Sequence, residues 1–115
     1  MIPLIVWFLG VKHQDRKAKK EAQLKVFFTL MADRGSNPIT KDWVDALNLI
    51  DIVFQDNRRV RAAWKEYLGS LNEKSPHFDT QQSFKLDLLS EMAMSLGYDN
   101  LKQTEIDRFY SPKYF

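Results

Sequence analysis

The side chains of this sequence that could do chemistry are few and scattered. Asp45, Asn48 and Asp51 recur at every third position. On a helix that spacing brings three oxygen-bearing groups to one side, from which a hard cation such as calcium could draw ligands. The wet face of an amphipathic helix has the same pattern, and that is the reading we adopt. Asp87 and Glu91 stand one helical turn apart. Two carboxylates become an acid and a base only when their surroundings separate their pKa values. Here Arg58 and Arg61 offer ordinary ion-pair partners instead. His13 and His77 fall in different segments, neither with a spaced second ligand or nucleophile. Cysteine is absent, which removes disulfides, thiolate nucleophiles and Cys-based zinc sites. No phosphate loop, nucleophile elbow or dinucleotide fingerprint occurs. The sequence therefore predicts no catalytic residue, no metal, no cofactor and no small-molecule substrate: a protein that is not an enzyme.

What the sequence does concentrate is grease beside charge. Residues 1–11 are almost wholly apolar and include Leu4, Ile5, Trp7, Phe8, Leu9 and Val11. They run directly into a basic neck carrying Lys12, Arg16, Lys17, Lys19 and Lys20. Net charge over the chain is +2, but residues 1–34 hold seven Lys/Arg against Asp15, Glu21 and Asp33, a net of +4. The remainder is mildly acidic at −2. Basic residues flanking an apolar segment are drawn to anionic lipid headgroups, each worth about 1 kcal/mol near the surface. A bilayer crossing needs roughly 20 apolar residues, and this block supplies half of that. Its positive charges follow the apolar run instead of preceding it, and no small-residue cleavage site separates the two, which argues against a signal peptide.

The elements that must carry these features read as helices. The 115 residues, 44% of them apolar, suffice for one cored domain. Helix one is predicted from near Pro3 to about Asp33, solvated from Lys12 to Gln23. From there Leu24, Phe27, Phe28 and Met31 are expected to join the body, with Gly35 as a C-cap. Thr40 is expected to cap a second helix in which Ile39 staples against Val44. Trp43, Val44, Leu47, Ile50 and Phe54 make its inner face, and Leu49, Ile52 and Val53 widen that face enough to predict the most buried helix. Asp56 or Asn57 caps a third helix with Val60, Ala63, Trp64, Tyr67, Leu68 and Leu71 on one face. A fourth runs from about Thr80 to Leu96, closed by Gly97 with Tyr98 packing back on it. Thr104 would cap a short turn through Asp107. Phe109, Tyr110, Tyr114 and Phe115, with Pro112, predict an ordered aromatic strap. The aromatic residues Trp43, Trp64, Tyr67, Phe84 and Tyr98 could line a pocket, but their helical spacing fits a core.

The ordered series Val26–Arg34, Val44–Asp51, Ala63–Leu68, Leu88–Ala93, Leu96–Asp99 and Tyr110–Pro112 resembles a bacterial family of small proteins of unknown function. The resemblance implies an N-terminal hydrophobic helix, a basic neck and a compact helical domain. It implies no activity. It gives Trp64 and Leu68 core roles and Gly97 a capping role. The apolar block here is shorter than that family's.

The expectation is therefore an all-α fold: a small bundle with a long protruding N-terminal helix and an irregular aromatic C-terminal strap. Residues 1–23 form an arm and stalk, and residues 24–115 a compact domain. The predicted function is a membrane-associated adaptor at the cytoplasmic face of a bacterial inner membrane, presenting its body to a protein partner. Three alternatives stand beside it. The first is a soluble cytoplasmic homo-oligomer or partner-binding module that uses residues 1–11 as its interface. The second is nucleic-acid binding through the basic stalk, and the third a membrane-perturbing effector of a toxin or phage-defence system.

Overall fold

The structure, a computed structural model, describes residues 2–110, with the side chains of residues 15–77 and 79–110. Helix α1 spans Ile2–Asp33 without interruption. At about 1.5 Å per residue its 32 residues extend about 48 Å. That length dominates a molecule whose principal extents are 61 × 33 × 28 Å. After a loop containing a cis Asn37–Pro38 bond come α2 (Lys41–Asn48), α3 (Ile50–Val53), α4 (Arg58–Ser70), a 3-10 turn (Phe78–Thr80), α5 (Gln81–Ser95) and α6 (Gln103–Ile106). No strand occurs among the described residues, and the fold is all-α as the periodicity predicts.

Three of the predicted helix ends form as the sequence suggests. Thr40 Oγ accepts the Trp43 N–H at 3.0 Å, and Asn57, not Asp56, caps α4 by accepting the Val60 N–H at 3.1 Å. Each such cap satisfies a donor that the first helical turn leaves orphaned, worth about 1 kcal/mol. At the end of α5, Tyr98 N–H reaches the Ala93 carbonyl at 2.8 Å and Gly97 N–H the Met94 carbonyl at 3.2 Å. That Schellman pair requires Gly97 to adopt φ +92°, where a side chain would be strained. Two other expected ends differ. Thr104 lies inside α6, whose start is marked by the Glu105 carboxylate accepting the Lys102 N–H at 3.2 Å. Ile39 and Val44 both stay exposed, so the staple gives α2 no buried contact.

The core sits where α1, α2–α3, α4 and α5 meet. Leu30, Ile50, Phe54, Val60, Leu88, Leu89, Met92 and Ile106 are fully buried in it. Each contributes about 1.5–3 kcal/mol of transfer free energy. The most buried helix is α5, not the second: Leu88, Leu89, Met92 and Ala93 are all inaccessible, and α5 packs on α4, α6 and α1. The predicted second helix is broken at Leu49. There the Leu49 N–H turns to the Ala46 carbonyl and the chain restarts as α3. The β-branched residues Ile50, Ile52 and Val53 crowd a helix interior. The break sends Ile50 and Phe54 inward while leaving Leu49 and Ile52 exposed. Leu68, expected in the core, is 53% exposed, and Ser70 takes the inward position in its place, donating to the Tyr67 carbonyl at 2.6 Å.

Candidate functional site

Besides its core packing through Val26, Phe27 and Leu30, the inner half of α1 makes polar attachments to the body at two places. Near Lys19, the ammonium pairs with Asp56 and Gln23 donates to the Val53 carbonyl at 2.8 Å. Lys19 is thus engaged by the body, whereas Arg16, Lys17 and Lys20 are solvent-exposed as the neck reading expects. Beyond Lys19 the helix continues about 25 Å to Ile2. The side chains of Leu4, Ile5, Trp7, Phe8, Leu9, Val11, Lys12 and His13 lie outside the described residues. Among the described residues no helix is long and apolar enough to cross a membrane.

The second attachment was not foreseen. Arg34 follows α1 directly and donates from Nε to the Ile106 carbonyl at 2.6 Å. Its two terminal nitrogens donate to the Met31 and Arg108 carbonyls. The guanidinium also stands 6.0 Å over the Phe109 ring. Burial lowers its pKa from the ordinary arginine value without discharging it. Beside it, Lys85 donates to the Arg34 carbonyl at 3.0 Å and lies 5.7 Å over Trp43. Burial lowers the Lys85 pKa, Asp107 opposes the shift, and Arg34 adds to it. Gly35 has a role here other than the expected C-cap. Its φ is not positive, and a β-carbon on it would fall 2.3 Å from the Phe109 ring. The glycine is needed so that the ring can lie on the backbone. Of the predicted strap, Phe109 packs against Gly35 while Tyr110 is largely exposed. Pro112, Tyr114 and Phe115 lie outside the described residues.

The scattered chemical candidates stay scattered. Asp45 accepts from Lys41 at 2.7 Å, and Asp51 accepts from Arg61 at 3.2 Å. Lys41 has its pKa raised by the hydrogen bond and charge of Asp45. Asp87 does not meet Arg58 or Arg61; its partner is Gln103 Nε2 at 2.7 Å. Asp87 and Glu91 line an open cleft of about 440 Å³ between α4 and α5, with Arg59 and Glu66 on the other wall. His77 sets its ring edge-on to Phe84 at 5.3 Å. Among the described residues no cluster of three metal-ligating side chains occurs. Trp43, Trp64 and Tyr67 are core, Phe84 is half-buried, and Tyr98 is 40% exposed. Burial raises the Tyr67 pKa.

One expectation about α1 is corrected on its surface. Leu24, Phe27 and Phe28 do not share a buried side. Phe27 is buried, but Phe28 is 52% exposed, its ring 6.3 Å from that of Tyr98. Adjacent helical residues point about 100° apart, which is the signal that separates Phe27 from Phe28.

The whole chain, residues 1–115, matches the sequence model of a family of unknown function (DUF6680). The chain belongs to that family. No curated protein and no solved structure matches it. Family membership assigns no chemistry, so the reading of function rests on the residues and geometry above.

Proposed function

We propose that the protein is a non-enzymatic, membrane-associated helical adaptor. The arm of α1 supplies location, and the body is offered to a protein partner. The supporting observation is the continuity of α1. One uninterrupted helix carries residues 2–11 of the apolar block and the basic neck at one end and is built into the core at the other. An apolar segment rich in Trp, Phe and Leu and flanked by lysines has the composition of an interfacial anchor.

Flotation of the full chain with phosphatidylcholine–phosphatidylglycerol vesicles tests this reading. The intact protein floats, floats less as salt is raised, and loses binding when Ile5, Trp7 and Leu9 are replaced by Asp. Equal flotation of the two proteins, or none by either, would sink it.

A further inference from the structure

The proposal above leaves open how the molecule stands on its membrane, and the outward face of α1 bears on that. Lys17, Lys20, Leu24 and Phe28 are spaced three, four and four residues apart, so they form one stripe along the helix. Lys17, Lys20 and Phe28 are exposed, and Leu24 is half-buried at the edge of the core. Tyr98 extends the stripe sideways. Its ring stacks on Phe27 at 5.6 Å and meets Phe28 at 6.3 Å, leaving its own outer edge in solvent. Lys25 stands exposed on the flank. The result is a basic-to-aromatic face built jointly from α1 and the end of α5.

We infer that this face lies against an anionic bilayer surface, with α1 parallel to the membrane plane. The inference rests on the membrane reading given above. Its geometric part is simple. With the apolar arm taken as lying in the interface, α1 has no break that would let its inner half turn away. An arm lying flat therefore brings its continuation down flat as well. The stripe then meets the headgroups with the complementary charge of Lys17 and Lys20, beside Glu21 on the same helix. Phe28 and Tyr98 supply the aromatic rings that favour the boundary between headgroup and acyl chain. The other exposed apolar residues on α2 and α3 suit a bilayer less well. Their groove against α1 is bordered by Asp42 and Asp45. The acidic and apolar surfaces of α2 and α3, and the basic Arg58, Arg59, Arg61 and Lys65 of α4, would remain turned to water and to a protein partner.

The absence of cysteine allows single-site labelling of the full chain. An environment-sensitive fluorophore is placed at Phe28→Cys, and in a second protein at Leu68→Cys on α4, which packs chiefly on α5. Both positions are exposed, so neither change opens the core. With phosphatidylcholine–phosphatidylglycerol vesicles, the label at 28 shifts to the blue and is quenched by spin-labelled lipid, and the label at 68 does neither. Unlabelled Phe28→Asp binds about tenfold more weakly while melting as the parent does. If the parent floats but the label at 28 stays water-like, or both labels are quenched alike, the flat orientation is overturned and the arm reading survives. If the parent does not float, both are overturned.

Discussion

The two attachments of α1 to the body are built from opposite materials. The outer one is a Lys19–Asp56 ion pair, with Asp56 largely in solvent, and one amide-to-carbonyl bond from Gln23. The inner one is Arg34, whose three donors each reach a backbone carbonyl while its plane lies over Phe109. Exposed ion pairs are worth little because water and salt screen them and two long side chains must be held still. Carbonyls at helix ends lose more when a charged donor is withdrawn, since nothing in the helix replaces it. The difference assigns stiffness: the helix is locked where it enters the loop and lightly tethered where it leaves the body.

Arg34→Ala attacks the strong end and should have the largest effect, about 2–3 kcal/mol of stability by urea unfolding. Arg34→Lys restores only a part, because an ammonium cannot reach three carbonyls from one plane. Gly35→Ala should cost about 1–2 kcal/mol by displacing the Phe109 ring. In Phe109→Ala the same change should cost almost nothing, and additive losses in that double-mutant cycle would refute the packing explanation.

The lysine beside the latch sharpens the contrast by its pH dependence. The Lys85 pKa is lowered in the fold. Between that lowered value and the ordinary lysine value, the unfolded chain holds more protons than the folded one, so folding gains stability as pH rises. The parent should therefore gain melting temperature relative to Lys85→Met on going from neutral to alkaline pH. Tyr67, with its raised pKa, acts in the opposite sense but equally in both proteins, and cancels from the difference. The smallest effect belongs to the outer attachment. Lys19→Ala should cost no more than about 0.5 kcal/mol, and that difference should vanish in high salt.

Much of this architecture was legible in the sequence because helical periodicity and end signals are local. Thr40, Asn57 and Gly97 declare helix ends through chemistry within a few residues of themselves, and the α4 and α5 faces follow from spacing. The misreadings occur where a distant segment decides. Gly35 looks like a helix cap until Phe109, far along the chain, is seen lying on it. Leu68 sits in phase with a buried face, yet α4 turns Ser70 inward at that level. Leu49 and Ile52 are apolar without a neighbour to cover them, so apolar content overstated the burial of α2 and α3. Of the candidate surface, the basic neck was plain from composition. Phe28 and Tyr98 were not, since their meeting depends on how α5 closes against α1.

The contacts of Arg34 also carry a kinetic consequence. They join residues 72 and 74 positions apart in the chain. Such a closure is entropically costly before it is made, although the cost grows only slowly with separation. The helical turns and the α4–α5 packing can form with shorter closures, so this junction is expected to complete late, which Arg34→Ala tests by speeding unfolding more than it slows refolding. Interactions absent from the transition state govern how fast a protein comes apart, not how fast it assembles. The arginine at the end of α1 is thus best viewed as a clasp that sets the lifetime of the folded molecule.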